Sequence, residues 1–221
     1  MFYSLEFYIF TTMKVIYSVI TGGYDELPIA PYFDGWDSIM FTDKQHDDNK
    51  GWKIIQLPKS NNPLIQSRDI KIRPHIHLPE YDLVCYVDGN QKFIKEPPSN
   101  PIWFEHQRRT NIFQEAQQII NNGRFPDDII NEQIDYYTTQ GYEDCGLYLN
   151  GFSVRNNKNE DIKRLNDVWF EETCKFAPRD QLSLPYAIWK TGIKPTNIRS
   201  GFDQRYTIIT KGHKQDYYAN N

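Results

Sequence analysis

The segment Cys85-Tyr86-Val87-Asp88-Gly89-Asn90 holds the densest chemical information in the chain. The apolar, β-branched run Leu83-Val84-Cys85-Tyr86-Val87 has the length of a buried strand, and it stops on an acid. In an open α/β sheet, an Asp at the carboxyl end of a strand faces the crevice where such sheets bind ligands. A carboxylate there can hold a divalent cation, Mn²⁺ or Mg²⁺, against a diphosphate. The two-acid version of this pattern is Asp-x-Asp; here Gly89 is followed by Asn90, a neutral and weaker oxygen donor. The competing reading of Asp88 is a strand-end acid that caps a neighbouring turn.

Other residue types add to this. An early strand closes on Thr21-Gly22-Gly23-Tyr24-Asp25, where two glycines permit a tight turn and close backbone approach to a ligand. Neither phosphate-loop nor dinucleotide glycine spacing is present, so an ordinary turn is the alternative. Tyr24 offers a ring to a base, and Asp25 an acceptor to a base or ribose. Arg68, Lys71 and His75 recur at helical spacing and form a basic edge, facing either a diphosphate leaving group or solvent. His75, directly after Pro74, reads as a structural hydrogen-bonding group. Asp180 follows Pro178-Arg179 at a helix start, where the dipole favours its ionised form. An ionised carboxylate can deprotonate an attacking hydroxyl or hold it in line, with Gln181 against the substrate; the plain alternative is a helix cap.

The elements that must position these residues alternate. Strands are expected over Val15–Thr21, Ser38–Thr42 (ending at Asp43), Trp52–Leu57, Leu83–Val87, Trp103–His106, Leu147–Val154 and Tyr206–Thr210. Helices are expected from Asn62-Pro63, over Ile112–Asn122, from Pro126-Asp127-Asp128, from the Asn159 cap, and over Arg179–Lys190. Alternating strand and helix without a linker or repeat implies a single α/β domain. Its sheet should be mixed and mostly parallel, with helices on both faces, and should bring the ends of the first strand and the Asp88 strand into one crevice.

At 221 residues the chain is long enough for one full domain. A net charge of −4 with interleaved signs gives no basic stripe, which argues against nucleic acid as a partner. Cys85, Cys145 and Cys174 lie far apart, which fits reduced thiols in a reducing, cytoplasmic setting and speaks against a structural zinc. Residues 1–12 read as an extension, or as a mis-assigned start ahead of Met13, with residues 13–221 as the domain. The extension lacks the basic start and cleavage site of a signal peptide and is too short to span a bilayer, leaving an edge strand or a peripheral membrane contact.

Seven weak motifs fall in a fixed order: Gly22-Gly23-Tyr24-Asp25, Phe41-Thr42-Asp43, Arg68 to His75, Tyr86-Val87-Asp88, His106-x-x-Arg109 with Glu115-Ala116, Gly146-Leu147 to Val154-Arg155, and Arg179-Asp180-Gln181-Leu182-Ser183. From Met13 to Thr210 this series resembles the glycosyltransferase-like family catalogued as domain of unknown function 616, with plant members tied to mucilage and turgor and with bacterial relatives. The resemblance implies a Rossmann-like fold of the nucleotide-sugar-binding GT-A type. It also implies transfer of a sugar from a nucleoside-diphosphate sugar, UDP-linked in most such folds, to a glycan or other hydroxyl acceptor.

On that resemblance, Thr21, Gly22, Gly23, Tyr24, Asp43, Arg68, Lys71, Asp88, Gly89 and Asn90 hold the donor. Asp88, Asn90 and a C-terminal His213 ligate the metal, or His213 is a solvated tail residue. Asp180, with Arg179 and Gln181, serves the chemistry. His106 and Arg109 lie toward the acceptor, or Arg109 instead forms a buried ion pair with Glu115. Asn150 and Gly151 back the sugar, or belong to an ordinary bulged strand. The rival readings are a nucleotide- or glycan-binding module without turnover, and another α/β enzyme class such as a nucleotidyltransferase.

Overall fold

A computed structural model describes residues 12–200 and 206–210. The expectations for residues 1–11 and for His213 lie outside the described residues. Seven strands form the main sheet in the order β3-β2-β1-β4-β7-β6-β8. They are β1 (Lys14–Ile20), β2 (Trp36–Thr42), β3 (Lys53–Gln56), β4 (Leu83–Val87), β6 (Ile102–Glu105), β7 (Tyr148–Asn156) and β8 (Ile198–Arg199). A second, two-stranded sheet pairs β5 (Gln91–Phe93) with β9 (Thr207–Ile209). The helices are α1 (Pro63–Ile72), α2 (Pro74–His77), α3 (Ile112–Asn121), α4 (Asp127–Thr139), α5 (Glu160–Lys175) and α6 (Asp180–Thr191).

The mixed, mostly parallel α/β architecture is the expected one. β1 pairs in parallel with both β2 and β4, so the carboxyl ends of β1 and β4 lie side by side. β7 alone runs against the others, antiparallel to β4 and β6. One detail of the expectation is corrected: among the described residues the helices pack on one face. On one face Val15, Tyr17, Val84 and Tyr86 pack against Ile70 of α1 and Leu78. Farther along that face Trp103 and Tyr148 pack against Leu165 and Trp169 of α5 and Leu184 of α6. The opposite cluster holds Ile16, Met40, Cys85, Val87, Phe104 and Phe152 and, among the described residues, includes no helical side chain. Loop and hairpin aromatics cover it instead, including Phe33, Trp52, Phe93 and Tyr206, whose ring stacks on Phe152. Rings this large bury enough apolar area to replace a helix layer.

Local sequence explains the helix that matters most. Asn62 accepts a hydrogen bond from the Ile65 N–H, and Pro63 sits at the first helical position, where its missing N–H costs nothing. Pro74 prevents α1 from continuing, so its last carbonyls need partners. Arg155 on β7 supplies them: its buried guanidinium donates to Lys71 O (2.6 Å) and Ile72 O (2.9 Å) and also to the Tyr17 hydroxyl. Tyr17 donates in turn to Lys71 O (2.8 Å). The C-terminal turn of α1 is thereby fixed against the sheet, and Lys71 with it.

Candidate active site

A cavity of about 620 Å³ opens at the carboxyl ends of β1 and β4. Thr21, Tyr24 and Asp25 line it from the first strand's turn, Arg68 and Lys71 from α1, and Asp88, Gly89 and Asn90 from the tip of β4. Asn150 and Gly151 contribute from β7, His106 and Arg109 from the segment after β6, and Arg179, Asp180 and Gln181 from the start of α6. The two tips touch: a Cβ on Gly89 would lie 3.0 Å from Ile20 and 3.3 Å from Asp25 Oδ2. Most of the expected residues therefore meet in one crevice although they are scattered along the chain.

Lys71 is the hub. It is buried, with its ammonium 2.8 Å from Asp180 Oδ2 and 3.3 Å from Asp88 Oδ1. Arg68 Nε stands 3.7 Å from Asp180 Oδ1. Burial alone would raise the Asp180 carboxyl pKa, but Arg68, Lys71 and Arg179 overcome it and hold the group well below the usual carboxylate range. Such an acid is a poor proton acceptor, so its geometry suits positioning the two cations better than deprotonating a hydroxyl. It is not the helix cap either: Arg179 occupies that position, with no side-chain cap bond, and Asp180 stands in the first turn.

Asp88 is oriented from one side. Its Oδ1 accepts from the Tyr86 hydroxyl (2.7 Å) as well as from Lys71, and its backbone N–H donates to Gly151 O (2.8 Å). Burial and the adjacent Asp88 carboxylate raise the Tyr86 phenol well above its ordinary range, so it remains a donor. Gly151 gives these side chains their clearance: a Cβ there would lie 2.5 Å from Gln91 Nε2 and 2.9 Å from Asp88 Oδ2.

A second network frames the other end. Buried Glu115 on α3 accepts from Arg109 Nε (2.5 Å) and Arg179 Nη2 (2.9 Å), and Arg179 Nη2 also reaches Gln181 Oε1 (2.6 Å). This is the expected Arg109–Glu115 pair, extended by Arg179. The His106 ring takes the N–H groups of Arg108 and Arg109 on Nδ1 and faces Arg109 Nη2 at 3.0 Å on Nε2. Burial first, and the Arg109 charge second, lower its pKa, so the ring is neutral at pH 7. Gln181 Nε2 donates to Tyr148 O (3.1 Å), and Asn150 bridges Trp103 Nε1 and Asp180 O.

Other expected residues stand apart. Gly22 and Gly23 adopt positive φ, as expected of a tight turn, but neither lines the cavity. The Gly22 N–H donates to Asp43 Oδ2 (2.9 Å), so Asp43 braces this turn from the end of β2. The Thr21 hydroxyl donates to Pro63 O (2.7 Å), tying the turn to α1. His75 contacts Asp167 (3.1 Å), the structural role expected of it.

Of the expected metal ligands, Asp88 and Asn90 line the cavity and His213 lies outside the described residues. Among the described residues no group of three His, Cys, Asp or Glu side chains converges on one point. The ammonium of Lys71 stands 3.3 Å from Asp88 Oδ1, the oxygen that the Tyr86 hydroxyl also engages. Tyr86, Gln91, Arg155, Arg108, Arg124 and Phe125 were not singled out from sequence for the site. Tyr86 was detectable, since residues two apart on a strand share a face and Asp88 follows by two. Arg155 carried no local signal, because the α1 carbonyls it binds lie more than eighty residues away.

No helix among the described residues is long and apolar enough to cross a membrane. No curated protein matches the chain. The model of the TOD1/MUCI70 glycosyltransferase-like domain matches residues 91–207, a shorter span than the resemblance from Met13 to Thr210 implied. The match starts just past Asp88 and takes in the His106–Arg109 segment, Asn150-Gly151 and Arg179-Asp180-Gln181. With just over half of its length matched, the chain belongs to the TOD1/MUCI70 glycosyltransferase-like domain family.

Proposed function

We propose that this chain moves a sugar from a nucleoside-diphosphate sugar, UDP-linked, to a hydroxyl of a glycan acceptor. The observation that carries the reading is the buried ammonium of Lys71, set with Arg68 in the crevice between the tips of β1 and β4. In the transfer, the bond from the anomeric carbon to the β-phosphate oxygen breaks and a bond to the acceptor oxygen forms. The hydroxyl proton passes to the buffer, and charge grows on the departing diphosphate. Preorganised cations in a water-poor site are the strongest means of stabilising that charge. Lys71 and Arg68 hold the diphosphate, Tyr24 and Asp25 the nucleoside, and Asp180 keeps both cations in place. Gly151 and Asn150 back the sugar. Neutral His106 and the Arg109–Glu115–Arg179 network face the acceptor, with Arg108, Arg124 and Phe125 completing that wall.

The test is release of UDP from a panel of UDP-sugars, with and without a glycan acceptor, in EDTA and again with Mn²⁺. Turnover that Lys71→Met abolishes supports the reading; absence of any nucleotide binding refutes it. A second reading, a module that grips the nucleotide without turning it over, is favoured by the ion-paired state of Asp180. UDP binding without turnover of any donor across the panel would select it.

A further inference from the structure

Asp88 sits where a metal-binding acid is expected, yet its surroundings equip it for another task. Oδ1 is fully engaged by the Tyr86 hydroxyl at 2.7 Å and the Lys71 ammonium at 3.3 Å. Among the described residues none hydrogen-bonds to Oδ2, while the side chain keeps 28% exposure on the cavity wall. The missing side chain of Gly151 leaves Oδ2 its clearance, since a Cβ there would lie 2.9 Å from it. One oxygen is thus anchored by two donors and the other is presented to whatever occupies the cavity. A carboxylate in this state is an acceptor awaiting O–H or N–H groups. The sugar hangs from the phosphate next to Lys71, so its ring hydroxyls are the donors that come within reach of Oδ2.

We infer that Asp88, aimed by Tyr86, accepts a hydroxyl of the donor's sugar and so acts as a specificity-determining residue, with Tyr86 as its positioning residue. The inference rests on the nucleotide-sugar reading above and adds to it a residue that tells a UDP-sugar from UDP. Sites built to accept a substrate hydroxyl discriminate strongly against a ligand that lacks it.

The experiment is calorimetric titration in EDTA of wild-type protein, Asp88→Asn and Tyr86→Phe with UDP, UDP-glucose, UDP-galactose and UDP-N-acetylglucosamine, repeated with Mn²⁺. Wild-type protein should bind at least one of the UDP-sugars more tightly than UDP. Asp88→Asn should erase that preference, a loss of about tenfold to a hundredfold, while affinity for UDP itself stays within about threefold. Tyr86→Phe, which keeps the acid but frees its anchor, should lose part of the preference and leave UDP binding alone. Two results overturn the inference while leaving the donor site standing: equal weakening of UDP and UDP-sugars in Asp88→Asn, or an Asp88→Asn effect seen only with Mn²⁺. Wild-type protein that binds none of the four nucleotides refutes the donor site, and this role for Asp88 falls with it.

Discussion

Replacing Lys71 with Met keeps the apolar stem of the side chain and removes the ammonium that stands 2.8 Å from Asp180 and 3.3 Å from Asp88. Asp180 is then a buried carboxylate whose nearest remaining cation is Arg68, at 3.7 Å, with Arg179 farther off. Removing one partner of a buried ion pair costs about 3–5 kcal/mol, because the remaining charge is desolvated and uncompensated. In a domain of this size that is a fall of about 6–20 °C in Tm. The pH dependence identifies the cause. In the wild type the folded-state pKa of Asp180 is depressed below its unfolded value. Its contribution to stability is therefore present above the ordinary carboxylate range and is lost as pH falls through the depressed value. In Lys71→Met the carboxylate is destabilised, and protonation relieves it. The Tm gap between wild type and variant should be widest near neutrality and should narrow as pH falls below about 5. Differential scanning calorimetry from pH 3 to 8 reads this directly. A gap that stays constant across the range, or Tm values that coincide at pH 7, would refute the placement of Lys71 as the counter-charge of Asp180. Affinity for UDP should also drop roughly tenfold to a hundredfold, the value of a lost hydrogen bond to a charged group.

Gly151→Ala pushes a methyl group toward Asp88 Oδ2 and Gln91 Nε2, so UDP-sugar binding should fall at least tenfold in calorimetry, an effect of about 1.4 kcal/mol. Retained affinity with an unchanged Tm would mean that the β4 tip yields freely. Glu115→Gln leaves Arg109 and Arg179 without their shared buried carboxylate and should cost about 3–5 kcal/mol, read as a lower urea midpoint at unchanged slope. His106 has a folded pKa below its unfolded value, so it detracts from stability as pH falls below the usual histidine range and ceases to matter above it. NMR titration should place its ring below the ordinary histidine value; a ring that titrates at that value would contradict the contact with Arg109.

Much of the site was legible because its signals are local. An apolar run ending in an acid locates the tip of β4 whatever the topology, and Asn62-Pro63 sets the start of α1 through capping chemistry alone. Spacing put Arg68 and Lys71 on one helical face. What stayed hidden is long-range. Nothing in an apolar strand pattern encodes its direction, so β7 reads the same whether it runs with or against β4. The aromatic cover of the second face comes from residues as distant as Phe33 and Tyr206, which no window joins, and a helix layer was the default expectation there. Asp180 looked like a catalytic acid because its own neighbourhood explains only its ionisation. Its partners, Arg68 and Lys71, lie more than a hundred residues earlier. Gly22-Gly23 signalled the turn correctly, but only the fold shows that the turn leans on Asp43 outside the cavity wall.

The most direct measurement is a crystal structure of the protein grown with UDP in EDTA. The account predicts the diphosphate within hydrogen-bond distance of Lys71 and Arg68, with the uracil beside Tyr24. Nucleotide bound elsewhere on the surface, or a diphosphate in the crevice that leaves both cations untouched, would contradict it.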